Sequence, residues 1–348
     1  MTDAVLSRVE GAVGRLSLDR PEALHALTTA MCEAMTAALL AWREDDGVDA
    51  VLIDHATGRG FCAGGDIRML AESGAGDAVD ARRFFHTEYR LNHLLQSYPK
   101  PVIAVMDGVV MGGGVGISLP AAIRIATERT TFAMPETGIG LFPDVGGGWW
   151  LPRLPGESGS WLALTGARIK AADCLALGIA THVVESAKLD EIKAALVGFP
   201  LNAEETLAAY AARPGASTLD RTRIDRLFAG DRVEAILTAL EEDGSDWAQA
   251  QLSTLRTKSP QTLKVAFRQL RTGRDLPSFA DNMAMEYRIG SRVVRRHDFL
   301  EGVRAVIVDK DNAPRWEPPT LEGVTDVLLD DIFAPLPPSE EWSPLLTT

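Results

Sequence analysis

The sequence predicts an α/β fold, with a mostly parallel sheet in the first half and a helical region after it. Three observations predict this. Short apolar runs alternate with helical patterns up to about residue 158; strand signals nearly stop beyond that point; and three glycine clusters follow or flank apolar runs. Alternation of strand and helix signals is the pattern of a parallel sheet with crossover helices.

Each element has a local reason. The stretch 12–19 (AVGRLSLD) alternates with period two, as a strand does. Met31, Met35, Ala38, Leu39 and Trp42 fall on one face of a helix over 28–45. The runs AVLIDH (50–55), VIAVMDG (102–108) and AIRIAT (122–127) are apolar enough for strands buried on both faces. IATHVV (179–184) is one late strand, and helical patterns then cover 203–212, 231–243, 259–271 and 278–309. In LRTG (270–273) the glycine is expected to end a helix. The tail from Pro314 is proline-rich and expected to lie over the surface. Two parts are expected: a core over 1–200, and a helical region with the tail over 201–348.

Composition narrows the function. A net charge of −13 and a pI of about 5.0 argue against a nucleic-acid partner, which needs a basic face. RVVRRH (292–297) is a local anion-site candidate, and equally a solvated helix face. No apolar run approaches the ~20 residues of a membrane span, so no membrane partner is expected. The N-terminus carries no pattern of a signal or transit peptide. Cys32, Cys62 and Cys174 are odd in number and widely spaced, which fits a reducing, cytoplasmic setting rather than a disulfide or zinc framework.

FAMPETGIGLFPDVGGGWW (132–150) poses the chemical question, since Glu136 and Asp144 stand in a glycine-rich apolar stretch. A buried carboxylate is costly unless paired, hydrogen-bonded or used. The bland alternatives are a cap or salt bridge for Glu136 and a plain turn for Asp144. The other two glycine clusters, GRGFCAGGDIRML (58–70) and DGVVMGGGVGISL (107–119), each lead from a strand toward a helix. Such turns leave free backbone N–H groups that bind an oxyanion. Neither has the G-x-G-x-x-G spacing of a dinucleotide site, and no P-loop or serine elbow occurs. GFCAG matches a cysteine elbow around Cys62, but Phe61 and Ala63 beside it suit a buried inert thiol. His86 and His93 have no metal-ligand spacing, so no metal is expected. Trp149 and Trp150 either wall a pocket or fill the core.

Four ordered segments, LDRPEALHALT, GFCAGGDI, KPVIAVMDGVVMGGGVGISL and FAMPETGIGLFPDVGG, resemble the enoyl-CoA hydratase/isomerase (crotonase) superfamily. FFHTEYRLN (84–92), FPDVGGGWWLPRL and the late MEYRIGSRVVRRHDFLEGVRAVIVDKDNAPRW (285–316) are similar to its 3-hydroxyisobutyryl-CoA hydrolase branch. The resemblance implies a crotonase-like spiral of ββα repeats with a helical C-terminal region. It implies an acyl-CoA thioester as substrate, so coenzyme A is part of the substrate and no separate cofactor is expected. It also implies a homo-oligomer, a trimer or hexamer.

Carried over residue by residue, the resemblance implies an oxyanion hole from the N–H groups of Gly65 and Gly113. Hydratases of the superfamily carry a catalytic glutamate two residues after the second motif's GGG, where this chain has Gly116. Their other glutamate matches Glu136. The hydrolase branch pairs Glu136 with Asp144 and uses Glu88 for the substrate's hydroxyl. This departure at Gly116 favours a hydrolase over a hydratase or isomerase of the same fold; a non-catalytic acyl-CoA-binding protein is the reading from another class. Coenzyme A contacts are implied at Glu22, Ala23, Leu24, Ala63, Gly65, Asp66, Ile67 and Arg68. His25 stands where the family often has asparagine.

Overall fold

A computed structural model describes residues 2–345. Ten strands form two sheets: β1 (Val5–Glu10), β2 (Val13–Leu18), β3 (Ala50–His55), β4 (Gly60–Cys62), β5 (Val102–Met106), β6 (Val109–Met111), β7 (Ile123–Thr127), β8 (Thr131–Ala133), β9 (Ile169–Lys170) and β10 (His182–Val184). The larger sheet has the order β1-β2-β3-β5-β7-β10, parallel except for the β1–β2 hairpin. The smaller has the order β4-β6-β8-β9, with β8–β9 antiparallel. Successive pairs β3/β4, β5/β6 and β7/β8 each give one strand to each sheet, so the chain winds as a spiral of repeats.

The apolar runs are explained by burial on both faces of the larger sheet. Val51, Ile53, Ala104 and Met106 face the main core, while Leu52, Ile103, Val105 and Ile125 face a second cluster with Leu189, Ile192 and Leu196. Alternate residues thus find apolar partners on opposite sides, as the strand period requires. Helix α1 (Thr29–Arg43) starts where Thr28 Oγ1 accepts the Met31 N–H at 3.2 Å, and buries Met31, Met35, Leu39 and Trp42. Helices α2 (Ile67–Gly74) and α3 (Val79–Gln96) complete the first repeat; α4 (Gly113–Gly116) follows β6, and α5 (Gly147–Trp150) follows the Asp144 loop.

Three expectations need correction. The helix Pro260–Asp275 runs through Gly273 instead of ending there. A Cβ at Gly273 would lie 2.0 Å from the Gly148 carbonyl oxygen, so this glycine serves close approach to the Asp144 loop and not helix termination. The pattern over 278–309 is not one helix: Phe279–Val293 ends at a turn, and His297–Val303 follows. Of the stretch 179–184, only His182–Val184 is strand. The tail lies over the surface but is anchored by Leu321, Val324, Leu329, Ile332 and Trp342. The main core is continuous from Leu16 and Phe132 to Leu263, Met283 and Phe299. Among the described residues no helix is long and apolar enough to cross a membrane.

The two glycine turns are pressed together. A Cβ on Gly114 would lie 2.3 Å from the Cys62 carbonyl oxygen and 2.9 Å from its Cβ. Neither neighbour is the far end of a flexible chain, so Gly114→Ala should destabilise by about 1–3 kcal/mol, as overpacking does. Thermal unfolding should report a lowered Tm; an unchanged Tm would show that the turns are not in contact.

Candidate active site

The turns and the 136–144 stretch meet at a cavity of about 550 Å³. Gly65, Gly113, Glu88, Glu136 and Asp144 line it, with Ala63 and Ile67. Thr257, Lys258, Val306, Ile307, Asn312 and Pro314 close it from the C-terminal half.

Local structure sets each group. Gly112 adopts φ 46° and ψ −120°, a conformation costly for residues with a side chain. This turn begins α4 at Gly113. Gly65 precedes Asp66, whose Oδ1 accepts the Met69 N–H at 3.3 Å and caps α2. Among the described residues, neither the Gly65 nor the Gly113 N–H has a protein acceptor. Glu136 begins a short 3-10 turn, Glu136–Ile139, right after Pro135. A Cβ on Gly112 would lie 3.4 Å from Glu136 Oε1, and one on Gly113 2.6 Å from Glu88 Oε1. The two glutamates therefore flank the second glycine turn. Glu136 Oε2 and Glu88 Oε1 are buried oxygens with no hydrogen-bond partner among the described residues.

Asp144 follows from its loop. Val145 takes φ +51°, rare for a β-branched residue, and Gly146 takes φ +93°. Tyr89 Oη donates to Asp144 Oδ2 at 2.9 Å. Tyr89 is fully buried on α3 beside Glu88. Burial pushes Asp144 up to about 7, with the Tyr89 hydroxyl and a backbone N–H opposing the rise. Burial, then the charge of Asp144, holds Glu136 well above the carboxylate range; its own backbone N–H and Lys258 pull the other way and are outweighed. Glu88 is held up by burial, then by Asp144 and Glu286. One proton or more thus stays on this group of carboxyls near neutral pH, with Asp144 the member most readily ionised.

The remaining expected contacts divide. Glu22 and Ala23 lie on a 3-10 turn, Pro21–Ala23, followed by Leu24 at φ 49°. Leu24 O accepts the Ala63 N–H at 3.0 Å, which ties this turn to the first glycine motif. His25 fixes it further: Nδ1 accepts the Arg20 N–H at 2.9 Å and Nε2 is 2.8 Å from Thr57 O. Asp66 pairs with Arg20 at 3.1 Å. Arg68 is exposed. Glu22, Ala23, Leu24, Asp66 and Arg68 do not line the cavity. Cys62 is buried and its thiol is pushed up to about 12, so it is an inert core residue and not a nucleophile. Trp149 and Trp150 pack on Phe279 against the core and do not wall the cavity.

Sequence reasoning left Tyr89, Lys258, Gln269, Asn282 and Glu286 without roles. Glu286 accepts the Gly146 N–H at 2.7 Å and the Gly148 N–H at 2.9 Å. Its signal was present, a lone carboxylate within the apolar segment NMAMEYRIG.

Gly116 is closely packed. A Cβ there would lie 2.7 Å from both Asn92 Nδ2 and Val145 Cβ. The resemblance puts a hydratase's second glutamate at this position, and in this chain packing fills the space. Residues 13–333 match the enoyl-CoA hydratase/isomerase family. The chain belongs to this family. Relatives include proteins named mitochondrial 3-hydroxyisobutyryl-CoA hydrolase from Xenopus laevis, 45% identical over 94% of this chain and 87% of that one, and from Homo sapiens, 41% identical over 97% and 91%. A crystal structure described as a carnitinyl-CoA dehydratase from Mycobacterium thermoresistibile is 42% identical, with a TM-score of 0.94 over 98% of this chain and 99% of that one. One described as an enoyl-CoA hydratase from Rhodobacter sphaeroides is 38% identical, with a TM-score of 0.88 over 98% and 100%. The crotonase-like spiral expected from the sequence is thus the fold observed.

Because the Tyr89 hydroxyl favours the ionised form of Asp144, Tyr89→Phe should raise the Asp144 pKa above about 7. The limb of a kcat/KM–pH profile governed by Asp144 should then move to higher pH. A limb that stays in place, or moves to lower pH, would remove Asp144 from that role.

Proposed function

We propose that this protein hydrolyses a short-chain 3-hydroxyacyl-CoA thioester, 3-hydroxyisobutyryl-CoA of valine breakdown, releasing 3-hydroxyisobutyrate and CoA. The observation that carries the reading is the filled space at Gly116. Adding water across a double bond needs a second carboxylate from that position, and Asn92 and Val145 leave no room for one. Thioester cleavage needs carbonyl-oxygen donors and a carboxylate pair, and Gly65, Gly113, Glu136 and Asp144 share one cavity. The names of the 41–45% identical relatives support the same reading. The dehydratase and hydratase descriptions of similar solved structures favour a lyase instead, so both outcomes belong in the assay.

In this reading the thioester oxygen sits between the Gly65 and Gly113 N–H groups, each worth about 2.7–4 kcal/mol to the transition state. Glu136 acts on the carbonyl carbon by one of two routes, in the form of the pair in which Glu136 is ionised and Asp144 holds the shared proton. It attacks directly and forms a mixed anhydride that water opens, or it takes a proton from an attacking water. Asp144 positions the water and carries the proton that the departing CoA sulfur takes up. Glu88 accepts the substrate's 3-hydroxyl. The turn at Glu22, Ala23 and Leu24, with Asp66 and Arg68, takes the nucleotide end of coenzyme A, which arrives as part of the substrate. A homo-oligomer and a cytoplasmic setting complete the proposal.

The purified protein should be given 3-hydroxyisobutyryl-CoA, 3-hydroxypropionyl-CoA and crotonyl-CoA separately. Free thiol and enoyl thioester absorbance are followed together. The expected result is thiol release from the hydroxyacyl substrates, reduced by about 10³-fold or more in Glu136→Gln. Loss of enoyl absorbance without thiol release would replace the hydrolase reading with a lyase. Binding without turnover on all three would mean a non-catalytic acyl-CoA protein.

A further inference from the structure

The segment MEYRIG, similar to the hydrolase branch, has no role in the chemistry above. It lies on the helix Phe279–Val293 and places Glu286 wholly inside the protein. Four donors converge on this carboxylate. Gly146 N–H reaches Oε2 at 2.7 Å; Gly148 N–H at 2.9 Å, Asn282 Nδ2 at 2.9 Å and Gln269 Nε2 at 3.1 Å reach Oε1. Gln269 Nε2 also donates to Pro143 O at 2.7 Å. The two residues therefore grip the 143–148 loop at its first residue and at two glycines beyond Asp144.

The grip has something to resist. Val145 is held at φ +51°, a strained conformation that persists only where the surroundings over-determine it. Val145, together with Asn92, also fills the space at Gly116. We infer that Glu286 is a positioning residue: with Gln269 it holds the 143–148 loop in its strained shape, and so fixes Asp144 against Tyr89 and Val145 against Gly116. The inference uses the role given above to Asp144, but its first test does not.

Glu286→Gln keeps the side chain's shape and turns one acceptor oxygen into a donor facing donors. Amide hydrogen exchange should then show the Gly146 and Gly148 N–H groups losing protection by about tenfold or more. That readout is independent of substrate and separates failure of this inference from failure of the functional reading. With a turned-over substrate, kcat should fall by about 100-fold, the cost of a loop displaced by about 1 Å, with a smaller change in KM.

The pH profile separates positioning from charge. Asp144, Glu88 and Tyr89 are the titratable groups that feel Glu286. Burial pushes Glu286 itself up to about 8, so near neutral pH Glu286→Gln removes little negative charge, and what it does remove would move the Asp144 limb to lower pH. Loss of the Tyr89–Asp144 contact moves it to higher pH, which is the expected result. Should Glu286→Gln fail to fold, Gln269→Met leaves the carboxylate in place and removes the grip on Pro143 O. It should show the same exchange and pH shifts at smaller size. Unchanged exchange at Gly146 and Gly148 in a folded variant, or a limb displaced to lower pH, would overturn the inference.

Discussion

The hydrogen bonds that the Gly146 and Gly148 N–H groups donate to Glu286 span about 140 residues of sequence and join the two halves of the chain at the site. They cross from a C-terminal helix to a loop of the spiral, so the loop's shape belongs to neither part alone. The Glu136 turn is held in a similar way. A Cβ on Gly140 would lie 2.1 Å from Asp298 O, and one on Gly302 2.4 Å from Ile139 C and O. With both carboxylate-bearing segments seated on C-terminal helices, the cavity is walled from two sides and offers its acids little solvation. That shortage of solvent holds their protons. The folded pKa of Asp144, near 7, lies above the ordinary carboxylate range, so its contribution to stability is greatest below that range and declines as pH rises toward about 7. Burying this carboxyl therefore costs the fold stability at neutral pH.

Within the enoyl-CoA hydratase/isomerase family, the difference between adding water to a double bond and cleaving a thioester is expressed here in packing as well as in residue identity. Gly116 is surrounded by Asn92 of α3 and Val145 of the clamped loop. Restoring a glutamate there would require both neighbours to move. The proposed oxyanion donors need no such change, because Gly65 lies just before the cap of α2 and Gly113 begins α4, where the two glycine turns meet. The same spiral can therefore keep its carbonyl-oxygen site while the carboxylates around it are redistributed.

Much of this was legible in the sequence. β3, β5 and β7 announced themselves because burial on both faces makes their runs apolar, and α1 because its buried face repeats at helical spacing. Glu136 and Asp144 stood out as charges without local compensation. β4, β6 and β8 did not read as strands: each is three residues long and sits in or beside a glycine motif, too short to show a period. β1 is an edge strand with mostly exposed residues and lacked an apolar signal. Gly273 read as a helix stop because its reason, contact with Gly148, is non-local. Tyr89 and Glu286 were invisible as site residues for the same cause, since their partners are 55 and 140 positions away. Even so, Glu286 carried the same mark as Glu136, an unexplained carboxylate in an apolar segment.

The central claim is that the carboxyls of this cavity cannot all ionise together, and that a proton remains among them at neutral pH. Infrared difference spectra of the folded protein between pH 5 and pH 9, compared with Glu136→Gln and Asp144→Asn, test it most directly. The account predicts a protonated-carboxyl stretching band in the native protein at pH 7, diminished in Glu136→Gln. It also predicts a component that titrates near 7 and is absent from Asp144→Asn. A native protein with fully ionised carboxylates at pH 7, and no difference from either variant in that band, would contradict it.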